Sequence, residues 1–194
     1  MSDIKEAIET AVPESSLNSR VATLVAVVAT LMAIGNIKDG NIVQNMSQAN
    51  SRAVGQWNYY QAKSTKEILA ENGATQLRAQ LPGVTGAAHR ETVEKAITKF
   101  EAEAKRYSRE KEEIKKQAEG YETEYDRLNI HDDQLDMAEA CFTIAITMAG
   151  ISALTKKDWL FRFAAALGGM GVFLETAAFL RWAFHPEWLA KLLG

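Results

Sequence analysis

Charged residues inside long apolar runs are the positions where this chain could do chemistry. Glu175 lies well inside the apolar segment 159–184, Arg162 and Arg181 lie nearer the ends of that segment, and Glu139 begins another apolar run. An ionised side chain at bilayer depth costs about 2.5–3.5 kcal/mol on insertion scales, so such a residue is a functional hypothesis. One interpretation of Glu175 is proton or cation handling in a pore shared between subunits. The other is a structural ion pair with Arg162 or Arg181 of a neighbouring helix.

A group of aromatic residues with a lysine is the second candidate: Trp57, Tyr59, Tyr60 and Lys63. On a helix, Trp57 and Tyr60 are expected to share one face, while Tyr59 and Lys63 share another. Aromatic side chains dominate the energetics of interfaces, which favours a recognition patch for a partner helix or a lipid headgroup. The alternative is ordinary packing of Trp57 and Tyr60 across a helical hairpin or between subunits.

Catalytic, cofactor and metal sites are not predicted. Asp132 and Asp136 share a helical face from which His131 is excluded, and no second histidine is near in sequence, so the ligand spacing for a metal is poor. The sequence contains no glycine-rich phosphate loop, nucleophile elbow or zinc signature. We therefore predict a protein that is not an enzyme and uses no cofactor. The net charge of −3 gives no support for nucleic-acid binding.

The stretch from Val93 to Leu135 is the element that organises the rest of the chain. Apolar or aromatic residues recur there in alternating steps of four and three, and only Lys111 and Asp132 interrupt them. A 3.5-residue repeat sustained in this way predicts a helix that packs lengthwise against another helix. The seam consists of Val93, Ile97, Phe100, Ala104, Tyr107, Lys111, Ile114, Ala118, Tyr121, Tyr125, Leu128, Asp132 and Leu135.

Three apolar segments are long enough to cross a bilayer: residues 21–37, 137–154 and 159–184. About 20 apolar residues span the hydrocarbon core, and about 17 is the low end of the range. The alternative is that the three segments form the core of a water-soluble helical protein. Because the charged middle of the chain offers too little apolar width to cover them, we expect three transmembrane helices.

The predicted fold class is an all-α membrane protein with one N-terminal and two C-terminal transmembrane helices and a long antiparallel coiled-coil hairpin between them. The hairpin is expected to occupy residues 39–136 and to turn at residues 81–86, where proline and glycine are adjacent. Residues 1–20 are predicted to be an N-terminal amphipathic segment whose helix ends near Pro13. Residues 185–194 are predicted to be an interfacial tail that follows the third transmembrane helix.

The string QWNYYQAKSTK at residues 56–66, together with SALTKKDWLF at residues 152–161, resembles a family of small bacterial membrane proteins known only as a domain of unknown function. The most specific element is a WxYYQAKS-like motif, here Trp57, Tyr59, Tyr60, Gln61, Ala62, Lys63 and Ser64. The resemblance covers most of the chain. It implies one N-terminal span, a charged helical hairpin, two C-terminal spans and a place in the bacterial inner membrane, and it implies no reaction.

Self-association is predicted from two surfaces. Small residues on the third apolar segment, among them Gly168 and Gly171, permit the close approach of another helix. The exposed seam of the hairpin offers a second surface. The residues assigned to a partner or oligomer interface are Trp57, Tyr59, Tyr60, Lys63, Phe100, Tyr107, Tyr121, Tyr125, Gly168 and Gly171.

The function predicted from these patterns is a non-enzymatic membrane scaffold, a homo-oligomer that presents its hairpins to membrane lipid or to another membrane or envelope protein. The alternative is an oligomeric channel or transporter-like protein whose pore is lined by the third transmembrane helix and Glu175. Basic residues near the span ends are equally divided between the two sides of the membrane. The compact Lys156-Lys157 link favours a cytoplasmic N-terminus with the hairpin outside.

Overall fold

A computed structural model describes the backbone of residues 2–182 and the side chains of residues 16–182. This part of the chain is helical apart from short connections, and it has no strand. The prediction of an all-α fold with long helices is therefore confirmed, while the predicted tail at residues 185–194 lies outside the described residues. The elements are α1 (Ser2–Gln80), a 3-10 turn (Leu81–Gly83), α2 (Ala87–Thr155) and α3 (Asp158–Phe179).

The first helix runs without a break through Pro13, where the sequence predicted the end of a separate amphipathic helix. That prediction is wrong. Proline removes one backbone hydrogen bond and crowds the preceding turn, which is a local cost. Ending the helix there would instead leave the backbone groups of two helix termini without partners.

The connection between α1 and α2 is short. After the 3-10 turn Leu81–Gly83, Val84 is extended and its N–H donates to the carbonyl of Leu81. Gly86 then has a φ of 95°, a left-handed conformation that costs glycine little because it has no Cβ. The N–H of Arg90 donates to the carbonyl of Gly86 and so begins the hydrogen bonding of α2.

The described chain forms two compact units. Within the described residues, the first combines the chain up to Met46 with the chain from Asp126 onward, and we call it the three-helix unit because α1, α2 and α3 all contribute to it. The second consists of residues 47–125, and we call it the hairpin unit because it contains the facing parts of α1 and α2 with their turn.

In the hairpin unit the two helices run antiparallel and meet through small side chains. Ion pairs join Lys63 to Glu110 and Arg78 to Glu101, so that rising residue numbers on α1 face falling numbers on α2. Every seam position from Val93 to Tyr125 is buried or half-buried, as the repeat predicted. The alanines buried in the hairpin unit are Ala49, Ala53, Ala70, Ala74, Ala104 and Ala118.

In the three-helix unit α3 presents a face of small residues to the other two helices. Ala164 packs in a cluster with Val21 of α1 and Ala149 of α2. A methyl group added at Gly171 would lie 2.5 Å from Cε1 of Phe142, a distance that real contacts do not reach. Glycine at this position therefore allows the Phe142 ring to lie directly against the α3 backbone.

The third helix ends at Phe179, five residues before the predicted boundary at residue 184. Arg181 adopts a φ of 57°, and its N–H donates to the carbonyl of Ala178, while the N–H of Trp182 donates to that of Ala177. This pair of bonds is a Schellman motif, which satisfies the last carbonyls of the helix. The predicted end was wrong because the motif here has arginine, instead of glycine, at its left-handed position.

Candidate functional site

Among residues 16–182, Glu175 is the charged residue that is most completely buried. It lies on the inner face of α3, where only 5 % of the residue is exposed. Its Oε1 is buried and accepts no hydrogen bond from the described residues. A methyl group added at Gly35 of α1 would lie 2.9 Å from this oxygen, so the carboxyl fills the space that the glycine leaves.

The Glu175 carboxyl borders a small cavity of about 10 Å³ between the three helices. A cavity of this size holds about one water molecule. Two further side chains with oxygen atoms line it, Asn36 from α1 and Glu139 from α2. The remaining lining is apolar or glycine: Met32, Gly35, Leu135, Ala138 and Phe142.

Hydroxyl groups in the same apolar segments have partners that Glu175 Oε1 lacks. Thr30 of α1 donates to the carbonyl of Ala26 at 2.8 Å, and Thr176 of α3 donates to that of Val172 at 2.7 Å. Such bonds to the carbonyl four residues earlier satisfy a hydroxyl without water, as an apolar surrounding requires. Among the described residues, Glu175 Oε1 is one of three buried side-chain oxygens without a hydrogen-bond partner, with Oδ1 of Asp39 and Oδ1 of Asp132.

The arginines predicted to pair with Glu175 lie elsewhere. Arg162 is exposed on α3, and Arg181 follows the end of that helix and lines a cleft with Lys38 and Arg127. Within the described residues no ion pair joins Glu175 to either arginine. The structure brings together only Glu175 and Glu139 of the four predicted intramembrane charges. Pairing between subunits stays a prediction.

The aromatic group of α1 contacts α2 of the same hairpin. The indole N–H of Trp57 donates to Oε1 of Glu122 at 2.7 Å, and the Trp57 and Tyr60 rings are edge to face at a centroid distance of 5.5 Å. Lys63 is hydrogen-bonded to Glu110 on α2. These contacts agree with the second interpretation of the motif, in which Trp57 and Tyr60 pack across the hairpin.

Tyr59 and Lys63 are four residues apart on the continuous helix α1, the spacing that places them on one face as the sequence predicted, but the two side chains differ in exposure. Lys63 is half-buried, and its Nζ lies 5.4 Å from the centroid of the Tyr107 ring across the hairpin. Tyr59 is instead 64 % exposed. Because Lys63 also follows Tyr60 by three residues, it lies between the two tyrosines around the helix, and its side chain reaches α2 across the hairpin. Tyr59 is the member of the aromatic group that stays open to a partner.

The other aromatic residues assigned to an interface also lie along the hairpin seam. Phe100 packs against the α1 backbone at Gly73, where an added methyl group would lie 3.4 Å from the ring. The guanidinium of Arg52 lies 5.8 Å from the centroid of the Tyr121 ring. Tyr125 is half-buried. Contacts within the chain thus account for much of the burial of these residues.

Gly168 and Gly171, assigned to self-association, face helices of their own chain. A methyl group at Gly168 would touch Val28 of α1, and one at Gly171 would overlap Phe142 of α2. The inference from small residues to a close helix contact was sound, but the neighbouring helices belong to the same molecule. These two glycines therefore give no support to an oligomer interface.

Sequence reasoning missed the partners of the two polar residues in the seam. Lys111 donates to Glu67 of α1, and that hydrogen bond lowers the pKa of the Glu67 carboxyl. Asp132, in contrast, lies beside Asp39 of α1, a residue of the same charge and not a basic one. Burial, followed by hydrogen bonding to Asp39 and the neighbouring negative charges, raises the pKa of Asp132 to about 7. Lys111 and Asp132 were visible as breaks in the repeat, but no pattern in α1 identified their partners.

Comparison with known proteins identifies a family and no activity. A family model described as a domain of unknown function, DUF4337, matches residues 17–181. No curated protein and no solved structure matches the chain.

Proposed function

This chain belongs to the DUF4337 family, and we propose on that premise that it is a non-enzymatic, multi-pass membrane scaffold of the bacterial inner membrane. Copies of the chain assemble into a homo-oligomer and present their hairpin units to lipid or to another membrane or envelope protein. The hairpin unit acts as a coiled-coil arm outside the bilayer.

The observation that carries the membrane placement is the large apolar side chains left uncovered on the three-helix unit. α1, α2 and α3 each contain a stretch long and apolar enough to cross a membrane. Ile37 of α1 is 71 % exposed, and Phe163 and Phe173 of α3 are also exposed. Exposed large apolar side chains on helices of this hydropathy are typical of contact with lipid or protein.

Support for assembly comes from a second apolar surface, on the outer side of the hairpin unit. Val54, Ile68 and Leu69 of α1 are all exposed. Val54 and Ile68 are fourteen residues apart, close to a whole number of turns, so they lie on one side of the helix with Leu69 nearby. The exposed polar residues Asn58 and Thr65 lie between them. We call the three apolar residues the outer apolar face. In water such a face is stabilised by contact with a second copy or another helix.

The pore alternative has less support from the position of Glu175. Its carboxyl lies against Gly35 of the same chain and not on an outward surface that several subunits could share. A scaffold requires no polar path through the bilayer, so we propose the scaffold and leave the pore as an outcome of the experiment below.

The test is the mass of the full-length protein in lipid nanodiscs, compared with a variant that carries Val54→Ser, Ile68→Gln and Leu69→Gln. We expect an oligomer for the natural protein and smaller particles for the variant. Lys99→Gln with Lys116→Gln, two exposed positions on α2, is the matched control and should leave the mass unchanged. A natural protein that is monomeric in nanodiscs would contradict the proposal. Ion flux across proteoliposomes that is abolished by Glu175→Gln would replace it with the pore.

A further inference from the structure

We infer that Glu175 is a proton-binding site within a single chain, and that its neutral acid is the form in which α3 packs against α1 at Gly35. This goes beyond a scaffold, because it makes the contact between two helices depend on the occupancy of one proton.

The first argument is that, within residues 16–182, one oxygen of the Glu175 carboxyl, Oε1, is buried without a donor that could stabilise a carboxylate. Glu175 is nine-tenths or more buried, and its Oε1 has no donor among the described residues. A buried charge is tolerated when it is paired and hydrogen-bonded, and otherwise the group becomes neutral. A protonated carboxyl has no net charge, so its burial costs much less.

The second argument concerns the ligand that fits the cavity. A volume of about 10 Å³ is near the lower limit for one water molecule, so a hydrated metal ion is too large. A dehydrated cation such as Ca²⁺ requires six to eight oxygen ligands in place of its water shell. Only Asn36, Glu139 and Glu175 bring side-chain oxygens to the cavity, and Asn36 is largely exposed. A proton needs one oxygen atom and no added volume.

The charged and titratable groups around the site favour the same conclusion. From α2, Glu139 lines the cavity, and the Cys141 thiol lies in the adjacent apolar cluster with Leu174. A negative charge on Glu139 makes a second negative charge on Glu175 less favourable. From α1, Lys38 and Asp39 follow Gly35 by three and four residues.

Neither basic residue near the end of α3 compensates for a charge on Glu175. The Nζ of Lys38 lies 5.8 Å from the centroid of the Phe179 ring, one turn beyond Glu175 on α3. Arg181 lies beyond the end of α3. Within the described residues neither of them forms an ion pair with the Glu175 carboxyl.

Proton release should therefore change the packing of the helices. An ionised carboxyl needs water or a cation, and the contact with Gly35 leaves no room for either between Oε1 and the α1 backbone. Beyond the one water molecule that the cavity can hold, the ionised side chain gains solvent only if α3 and α1 separate there or if the side chain leaves the cavity. Protonation is thus linked to the α1–α3 contact in the way that any ligand is linked to the state that binds it.

Infrared difference spectroscopy on the full-length protein in liposomes tests the protonation. We expect a carbonyl-stretch band of a protonated carboxyl at neutral pH that is absent in Glu175→Gln and retained in Glu139→Gln. Gln has the shape of the neutral acid, so Glu175→Gln should fold. Persistence of the band in Glu175→Gln would overturn the proposal, whether or not Glu139→Gln retains it.

Modification with dicyclohexylcarbodiimide, which reacts with protonated carboxyls in apolar surroundings, is the second measurement. Peptide mass spectrometry should find the label on Glu175 at neutral pH and less of it as the pH rises. The packing is followed by the distance between spin labels on α1 and α3. That distance should increase at high pH in the natural protein and stay constant in Glu175→Gln. An equal increase in both proteins would overturn the link between protonation and packing.

Discussion

Lys111 and Asp132 interrupt the same apolar seam, and each meets a different kind of partner on α1. Lys111 contacts Glu67, a residue of opposite charge, and both side chains are largely buried, at 18 % and 12 % exposed. Asp132 contacts Asp39, a residue of the same charge. The first arrangement stabilises the ionised forms of both residues, and the second favours a shared proton.

We predict that Asp132→Asn stabilises the protein at high pH. The pKa of Asp132 is raised from 3.8 to about 7, chiefly by burial, so the folded state retains a proton that the unfolded state loses between these values. Stability therefore falls as the pH rises from about 4 to about 7, and Asn removes this loss. The gain should be roughly 1–2 kcal/mol at about pH 8, less than the full shift implies because the carboxyl is partly exposed.

Thermal unfolding in mild detergent at about pH 5 and about pH 8 measures this effect. Asp126→Asn, at an exposed position six residues earlier on α2, is the control and should not alter the pH dependence. If Asp132→Asn retained the pH dependence of the natural protein, the assignment of a shared proton to Asp132 and Asp39 would be wrong.

Lys111→Met should destabilise the hairpin unit by about 1–3 kcal/mol, since it leaves the buried Glu67 carboxylate without its cationic partner. The hydrogen bond between them lowers the pKa of Glu67 from 4.5 and raises that of Lys111 from 10.5. The ion pair therefore stabilises the folded protein fully between pH 4.5 and pH 10.5. This stabilisation is lost as the pH falls through the lowered pKa of Glu67 or rises through the raised pKa of Lys111.

Chemical unfolding followed by circular dichroism at neutral pH gives the free energy of unfolding for each protein. The double variant Lys111→Met with Glu67→Met should recover much of the loss, because no buried charge remains. A single variant as stable as the natural protein would show that the ion pair contributes nothing.

At the scale of elements, α2 was more predictable than α1 or α3. The seam from Val93 to Leu135 was evident because charged residues separate its members, and every one of its positions is buried or half-buried. Its complement on α1 consists partly of Ala70 and Ala74, which carry a weak hydropathy signal. The face of α3 that packs against α1 and α2 was also difficult to predict, because Gly168 allows close contact with a helix of the same chain as readily as with one from a partner.

The end of α3 and the buried Glu175 show two further limits of sequence reasoning. A glycine usually marks a left-handed helix terminus, and here Arg181 adopts that conformation. Gln134 of α2 donates to the carbonyl of Trp182 at 2.8 Å, and this long-range bond helps to fix the end of α3. Glu175 was identified from its position in an apolar run, but its contact with Gly35 depends on tertiary packing.

Gly171→Ala should destabilise the three-helix unit by about 1–3 kcal/mol, because the added methyl group overlaps the Phe142 ring. Gly169→Ala is the matched control on the same helix, where an added methyl group meets no atom within 4 Å. That change should be neutral or stabilise by up to about 1 kcal/mol through helix propensity.

Thermal unfolding of the two alanine variants in the same detergent compares them directly. Phe142→Leu, introduced together with Gly171→Ala, should restore part of the stability because it removes ring atoms from the overlap. Equal stability of the two alanine variants would contradict the close contact between α3 and α2.

At the scale of the whole molecule, the distribution of apolar surface connects the fold with the proposed function. The three-helix unit buries one face of each apolar stretch and leaves large side chains such as Ile37, Leu154 and Phe173 uncovered. The hairpin unit is covered mainly by charged and uncharged polar side chains and exposes large apolar residues at fewer positions. A chain with this division of surface is stable when lipid covers the first unit and water the second.

Alkaline carbonate extraction of membranes from cells that express the full-length protein tests this division most directly. We predict that the protein stays with the lipid after extraction and floats with it in a density gradient, as a polypeptide embedded through its three apolar stretches does. Recovery of the protein from the aqueous fraction as a compact particle without detergent would contradict the membrane placement and, with it, the proposed scaffold.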